Sequence, residues 1–389
     1  MKRKLYLHIG TEKTGTTSIQ EVLFRNNEKL PSLGYYFLNT KGRRDSRGLV
    51  SYCIGHDKND DYFSSEGIHD SCGRKKYRDD LLKEVQEVLT SLDDEVHSVI
   101  VTSEHFHSRI TTESEVQRIY DLLMPFFDDV EVICYLREQA ATCTSLYSTA
   151  IKMGFSPVFD LFIKSCNYNN DYYNYYNMLN KWSSVFGLDK IKARVFDRNS
   201  FFNHDLIDDF FSKIDKELLV NIDTKVVPEN ESLNEYGQIL GKAINVIFPS
   251  QGTDVDINFR RNLFDKLYEG FKGKGAVIDH EKSMAIYDEF NESNTFVNRD
   301  YFGQIGNMFS RPLPKDKKIL LEDSLVINVV DVLSALLGKK VIHSDGVEIL
   351  LRDTAKSIQS TNQKKAEELM KRALAIRLSN DRDSSESPQ

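Results

Sequence analysis

Four apolar runs in the first half of the chain have the length and composition of short buried strands. They are Lys4–Gly10, Ser98–Ser103, Val130–Leu136 and Ile191–Phe196. Each is rich in aliphatic, β-branched or aromatic residues, and a glycine ends the first. The pattern predicts four strands of one sheet.

Helical patterns lie between these runs. The predicted helices are Ser18–Asn26, Tyr77–Leu92, Glu113–Phe127, Ala140–Met153 and Tyr172–Phe186. Strands that alternate with helices form a mainly parallel sheet covered on both faces. We therefore predict an α/β fold with three layers, α/β/α, around a mainly parallel central sheet. Residues 40–78 are predicted to be polar and irregular.

The last third of the chain has a different character. Beyond about residue 225 it is largely helical, residues 318–377 predict helices with charged faces, and residues 380–389 form a polar tail. We expect one domain over 1–312, a helical C-terminal extension over 313–377 and a disordered tail over 378–389. The extension is a candidate surface for homo-oligomer formation.

Composition excludes several classes of protein. The chain has 389 residues and a formal net charge of −8, which argues against non-specific nucleic-acid binding. Its five cysteines show no C-x-x-C spacing, so neither zinc nor a disulfide framework is expected. No run approaches the roughly 20 apolar residues of a membrane span. Because the first strand begins at about Lys4, no signal peptide is expected either, and we predict a cytoplasmic protein.

The segment Gly10–Thr17 (G-T-E-K-T-G-T-T) joins the first strand to the first helix. Backbone N–H groups and the positive end of a helix converge in such a loop and bind phosphate. It has the length of a Walker loop, but Thr16 stands where that loop has lysine, and the lysine is Lys13. The loop predicts a P-loop-type fold with a phosphate site unlike that for ATP.

A second phosphate element follows the third strand. Arg137 ends that strand, and Ser145 lies eight residues later in the predicted helix. A guanidinium fork and a hydroxyl can converge on one phosphate. On its own the spacing is weak, and a helix-capping arginine with a solvated serine is the plainer interpretation.

The two elements together resemble PAPS-dependent sulfotransferases, which use 3′-phosphoadenosine 5′-phosphosulfate (PAPS) as sulfuryl donor. The run L-H-I-G-T-E-K-T-G-T-T-S-I-Q is similar to their 5′-phosphosulfate loop, and Arg137, Ser145 and Tyr147 match their 3′-phosphate motif. Glu12 replaces the proline of the cytosolic enzymes, so the resemblance is greatest to bacterial carbohydrate-type members. It covers roughly residues 3–312.

The resemblance implies a role for each matching residue. Lys13 stabilises the leaving group, and no metal is required. A C-terminal basic residue closes over the 3′-phosphate, for which Arg299 is the candidate. The predicted nucleotide-binding residues are Lys13, Thr14, Gly15, Thr16, Thr17, Arg137, Ser145 and Arg299.

Sulfuryl transfer also needs a base for the acceptor proton. The second strand delivers Glu104 and His105 to the same edge of the sheet. Glu104 is the first choice, because T-S-E-H-F resembles the S-S-E of bacterial members, and His105 is the second. If the strand continues, the two side chains face opposite sides. Glu104 as a helix cap and His105 as a packed core residue are the alternatives.

The acceptor is less defined. The basic run Lys41, Arg43, Arg44 and Arg47 forms either a rim for an anionic glycan or a solvated loop. The tyrosines Tyr172, Tyr173, Tyr175 and Tyr176 either stack on sugar rings or pack beside Trp182. We expect transfer from PAPS to a hydroxyl or amine, which the resemblance places on a glycan, with release of 3′,5′-bisphosphorylated adenosine (PAP). The alternatives are a P-loop kinase acting on a small metabolite and a catalytically silent nucleotide-binding scaffold.

Overall fold

Two units that interleave along the sequence make up the chain in a computed structural model. The structure describes residues 3–40, 42–226, 232–249, 257–314, 345–359 and 363–385. The first unit comprises Met1–Glu138, Tyr168–Pro228 and Asp288–Ser310, and the second comprises Gln139–Asn167, Glu229–Tyr287 and Arg311–Gln389. The predicted domain boundary at residue 312 stays a prediction.

All of the strands named here belong to the first unit. They are β1 (Lys4–Gly10), β2 (Tyr35–Phe37), β3 (Ser98–Thr102), β4 (Asp129–Leu136) and β5 (Ile191–Val195). The helices of the first unit are α1 (Thr16–Arg25), α2 (Arg47–Cys53), α3 (Asp61–Ser65), α4 (Ser71–Ser91), α5 (His105–Arg109), α6 (Glu113–Leu123), α9 (Tyr175–Phe186), α10 (Leu206–Ile214), α11 (Lys216–Asn221) and α15 (Asn291–Phe302). The remaining helices are α7 (Gln139–Lys152), α8 (Phe159–Ile163), α12 (Glu235–Ile247), α13 (Ile257–Gly270), α14 (His280–Glu289), α16 (Asp345–Ile358) and α17 (Gln363–Ser385).

The five strands form one parallel sheet in the order β2-β3-β1-β4-β5. The first strand of the chain is therefore central. Leu5 is in register with Val99 of β3 on one side and with Val130 of β4 on the other. Since parallel strands end at the same edge, the carboxyl ends of β1, β3 and β4 lie side by side.

Side chains of β1 alternate between two hydrophobic cores. Leu5, Leu7 and Ile9 belong to the core that includes buried residues of α2, α4, α6 and α9. Tyr6 belongs to the opposite core, which includes buried residues of α1, α10 and α11. Both faces of the sheet are thus covered, as a parallel sheet requires. This confirms the predicted α/β class and its three layers.

Residues 40–78 are more regular than predicted. α2, α3 and the start of α4 lie there, and Leu49 and Val50 of α2 are fully buried in the core. α2 has seven residues and α3 five, which is too short for a helical period to show in the sequence. β2 has three residues and was not predicted for the same reason.

The described part of the second unit is helical. α16 and α17 pack against each other as a pair. α17 extends from Gln363 to Ser385, and the predicted disordered tail over 378–389 stays a prediction. Oligomer formation through these helices stays a prediction. Among the described residues, no helix is both long and apolar enough to span a membrane.

His8 of β1 makes stability depend on pH. It is fully buried, its Nδ1 lies 2.8 Å from Thr102 Oγ1, and burial lowers its pKa to about 3. The unfolded chain takes up a proton at this histidine near pH 6.5, whereas the native chain does not. The free energy of unfolding therefore decreases as the pH falls below about 6.5, by at most about 1.4 kcal/mol per pH unit from this group.

We expect His8→Asn to reduce that pH dependence between pH 6.5 and 5, measured by urea unfolding. The matched control is His69→Asn, because His69 is exposed. Equal slopes for the two variants would contradict the assignment.

Candidate nucleotide-binding site

The loop after β1 is fixed by its own threonines. Thr11 donates to the carbonyl oxygen of Tyr135 on β4 through its N–H, at 3.1 Å, and through Oγ1, at 2.9 Å. Thr14 Oγ1 donates to the carbonyl oxygen of Thr11 at 2.6 Å. The hydroxyl of Thr14 thus stabilises the loop, and any contact of Thr14 with a phosphate falls to its backbone.

The N-terminus of α1 has no side-chain cap. Gly15 is the N-cap residue, in the left-handed conformation with φ 77° and ψ 21°. The N–H groups of Ser18 and Ile19 bond to the carbonyl oxygen of Gly15. Those of Thr16 and Thr17 come earlier in the helix and have no helical acceptor. Such N–H groups and the helix dipole favour an anion at this point.

Glu104 lies against the start of the loop. A Cβ atom on Gly10, whose φ is +102°, would stand 3.1 Å from the Cα of Glu104. β3 ends at Thr102, and Glu104 has helical angles, φ −66° and ψ −17°. The expected strand alternation of Glu104 and His105 is therefore wrong. Glu104 is the N-cap residue of α5, but its side chain does not cap the helix. Instead, its Oε2 accepts a hydrogen bond of 2.6 Å from Gln20 of α1.

Arg137 contacts the loop directly. Its Nη1 donates to the carbonyl oxygen of Lys13 at 2.9 Å. Burial and the charge of Arg137 lower the pKa of Lys13, partly offset by Glu12 and Glu104. Burial also lowers the pKa of Arg137. Two partly desolvated cations therefore stand together, an arrangement that an anion would stabilise.

Glu12, the residue that replaces proline, is held by a tyrosine and a histidine. Tyr172 Oη donates to Glu12 Oε2 at 2.8 Å. His107 Nε2 lies 2.9 Å from the carbonyl oxygen of Tyr172, and the N–H of Glu12 points at His107 Nδ1 from 3.5 Å. These two contacts require a neutral His107 ring with its proton on Nε2. Burial favours the neutral ring because it lowers the pKa of His107. Burial raises the pKa of Glu12, but polar neighbours, Ser108 and Tyr172 among them, lower it by more, so Glu12 stays ionised.

Sequence reasoning missed the contacts of Glu12, although the departure at that position was a signal. It also missed Asp45. The N–H of Ser46 donates to the carbonyl oxygen of Thr102 at 2.9 Å, which places Asp45 beside the end of β3. Burial and the charge of Glu104 raise the pKa of Asp45.

His105 begins α5 and is half-buried. Its Nδ1 is buried and has no hydrogen-bond partner among the described residues. It is thus not a fully satisfied core histidine, and it lies close enough to Asp45 to offset part of the rise in the pKa of that carboxyl.

The residues predicted to bind the 3′-phosphate with Arg137 lie on later helices of the chain. Ser145 is on α7 in the second unit and is half-buried. Tyr147, on the same helix, is fully buried and packs on Phe159 with a ring distance of 4.7 Å. Arg299 is on α15, where it pairs with Asp300 and lies over the ring of Phe296. The roles of Ser145 and Arg299 at the 3′-phosphate stay predictions.

The described arginines of the basic run, which lie at or just before the start of α2, are paired with carboxylates. The pairs are Arg43 with Glu66, Arg44 with Glu21 and Arg47 with Asp60. Arg47 and Asp60 are both buried. Lys41 lies outside the described residues. The described arginines are thus not a row of unpaired surface cations, although only the pair of Arg47 and Asp60 is buried.

The described residues include no group of three His, Cys, Asp or Glu side chains placed to hold a metal ion. What the structure brings together is an uncapped helix N-terminus, two cations and two carboxylates at one edge of a parallel sheet. These features together are typical of an anion site at the carboxyl edge of a parallel sheet.

Comparisons with known proteins give few relatives. No family model matches the chain. An uncharacterised protein of Archaeoglobus fulgidus is 26% identical over 178 residues, which are 44% of this chain and 46% of that protein. The chain therefore spans about half the length of the curated relative it matches.

Two solved structures are similar, both at 14% identity. A sulfotransferase from Alicyclobacillus acidocaldarius has a TM-score of 0.35, covering 69% of this chain and 95% of that one. The sulfotransferase domain of the Synechococcus PCC 7002 olefin synthase has a TM-score of 0.28, covering 75% and 96%. A likeness at such scores does not define a function, which must come from the geometry of this chain.

The close approach of Gly10 to Glu104 is testable. We expect Gly10→Ala to lower the free energy of unfolding by about 1–3 kcal/mol, because it combines backbone strain with the contact to the Glu104 backbone. Gly303→Ala is the control, since Gly303 also has a positive φ, +65°, but a Cβ atom there would have nothing within 4 Å. Urea unfolding measures both. Equal losses would show that the contact with Glu104 is unimportant.

Proposed function

We propose that the chain is a sulfotransferase that transfers a sulfuryl group from PAPS to a hydroxyl or amine acceptor. One observation carries the proposal: the guanidinium of Arg137 donates to the carbonyl oxygen of Lys13, 2.9 Å away. It brings a second cation to a phosphate loop that has threonine, not lysine, at position 16. Two phosphate groups at two sites distinguish PAPS from ATP.

The residues fit the donor in the following way. The N–H groups of Thr16 and Thr17 at the start of α1 bind the 5′-phosphate. Lys13 stabilises the charge that develops on the phosphate oxygen as its bond to sulfur breaks. Arg137 binds the 3′-phosphate, with Ser145 as its predicted partner. Both cations are partly desolvated, which strengthens their attraction for these anions.

Glu104 is the proposed base. The acceptor oxygen or nitrogen attacks sulfur in line with the leaving phosphate, and Glu104 takes the acceptor proton. Gln20 holds one carboxylate oxygen of Glu104 at 2.6 Å, which leaves the other for that proton. His105 is the alternative base. A glycan is the first class of acceptor to test.

Nucleotide affinity tests the donor assignment. We expect PAP to bind at least about tenfold more tightly than AMP in calorimetric titrations without magnesium, because a charged hydrogen bond to the 3′-phosphate contributes roughly 1.5–3 kcal/mol. Arg137→Lys should remove most of that preference, because lysine lacks the planar fork. The exposed Arg198 supplies the control, Arg198→Lys.

Equal affinity for PAP and AMP would contradict the proposal. Preference for ATP with magnesium would favour the kinase.

Replacement of the base tests the second half of the reaction. We expect Glu104→Gln to lower kcat about 100-fold or more, the usual contribution of a general base, with PAP affinity unchanged. Glutamine keeps an oxygen for Gln20. Transfer of radiolabel from PAPS to a panel of hydroxyl and amine acceptors, glycans included, gives the rate.

The control is Glu113→Gln, an exposed residue of α6. If Glu104→Gln kept full activity and His105→Asn lost it, His105 would be the base. PAP binding without transfer to any acceptor would favour the silent scaffold.

A further inference from the structure

The tyrosine-rich segment that leads into α9 contacts the phosphate loop. Tyr172 is half-buried, and its hydroxyl donates to the side chain of Glu12 at 2.8 Å. Its ring lies against His107, with ring centres 4.4 Å apart. The sequence allows two roles for these tyrosines, stacking on sugar rings or packing beside Trp182. The hydrogen bond from the Tyr172 hydroxyl to Glu12 fits neither role.

His107 joins the same two residues a second time. Its Nε2 lies 2.9 Å from the carbonyl oxygen of Tyr172, and its Nδ1 lies 3.5 Å from the backbone nitrogen of Glu12. Glu12 is therefore held at its side chain by Tyr172 and at its backbone by His107. The residue directly after it is Lys13.

Tyr175, three residues along, fixes the other phosphate element. Its hydroxyl donates to the carbonyl oxygen of Arg137 at 2.6 Å. Arg137 in turn donates to the carbonyl oxygen of Lys13. One segment thus holds the residue before Lys13 and the arginine that contacts Lys13.

Lys13 needs such support. Its φ is +67°, a left-handed backbone conformation that residues other than glycine rarely adopt. A strained conformation persists only where its surroundings fix it. The Tyr172 hydroxyl holds the residue before Lys13, and the Tyr175 hydroxyl holds the arginine that bonds to the carbonyl oxygen of Lys13.

We propose that Tyr172 and Tyr175 are positioning residues, whose hydroxyls act through Glu12 and Arg137 to hold Lys13 in place for the departing phosphate. The inference rests on the proposed sulfuryl transfer. Because Lys13 acts most strongly when the bond to sulfur breaks, loss of positioning lowers kcat more than nucleotide affinity.

Three phenylalanine variants test the proposal. We expect Tyr172→Phe and Tyr175→Phe each to lower kcat by about 10- to 100-fold, as small displacements of a reacting group do. PAP affinity should fall less than about threefold in Tyr172→Phe, whose hydroxyl does not contact Arg137. Tyr35→Phe is the control. It also removes a hydroxyl-to-carboxylate bond, from Tyr35 to Asp215 at 3.0 Å, but at the edge strand β2. Its kcat should match that of the native chain.

Double variants show whether Tyr172 acts through Glu12. In the Glu12→Ala background, we expect Tyr172→Phe to lower kcat no further. Glu12→Gln, which keeps an oxygen for Tyr172 to bond, should lose less activity than Glu12→Ala. Independent effects of the two changes would overturn the proposal.

Thermal unfolding of each variant guards against loss of the fold. If the phenylalanine variants failed to fold, the difference between Glu12→Ala and Glu12→Gln would decide instead, and equal kcat values for these two would overturn the inference. A different result would refute the proposed function. A native chain without preference for PAP refutes it, whereas equal kcat values for Tyr172→Phe and Tyr35→Phe in an active, PAP-binding enzyme refute only the positioning role.

Discussion

The central place of β1 in the parallel sheet is the constraint on which the site depends. Hydrogen bonds to β3 and β4 on its two sides fix its register, and its side chains are divided between two cores. The loop at its carboxyl end therefore has one neighbour that delivers Glu104 and another that delivers Arg137. A shift of β1 would move the loop away from both residues. β1 also meets the backbone of Glu104 at Gly10, where a Cβ atom would stand only 3.1 Å from the Cα of Glu104.

Charge balance around the loop explains how two cations can lie together there without a bound anion. Lys13 and Arg137 are close to each other and partly desolvated, which opposes their ionisation. Glu12 and Glu104 partly compensate, and each is fixed by a neutral donor, Tyr172 or Gln20. Neither carboxylate forms the loop's helix cap, so the N–H groups at the start of α1 are left for a ligand.

The sequence predicted what depends on local pattern. The apolar runs predicted four of the strands, and the glycines and threonines predicted the loop between β1 and α1, whose anion site stays a prediction. Contacts between distant segments have no such signal. Tyr172 and Glu12, which are hydrogen-bonded, lie 160 positions apart in the chain, and the end of β3 at Thr102 has no marker in the sequence. Roles assigned by resemblance alone, those of Ser145 and Arg299, remain predictions because neither follows from the contacts within one unit.

The basic run that ends at the first residue of α2 gives a weaker case for an anionic acceptor than the sequence alone. Four nearby cations in a sequence suggest a surface for an anionic glycan, but a charge that is already paired attracts little further. Arg43, Arg44 and Arg47 each have a carboxylate partner, and the last pair is buried, so breaking it for a ligand would leave a desolvated charge. Arg47 is therefore committed to Asp60 within the fold, close in sequence to Asp45 at the end of β3. The proposal of a glycan acceptor therefore gains no support from this run of cations.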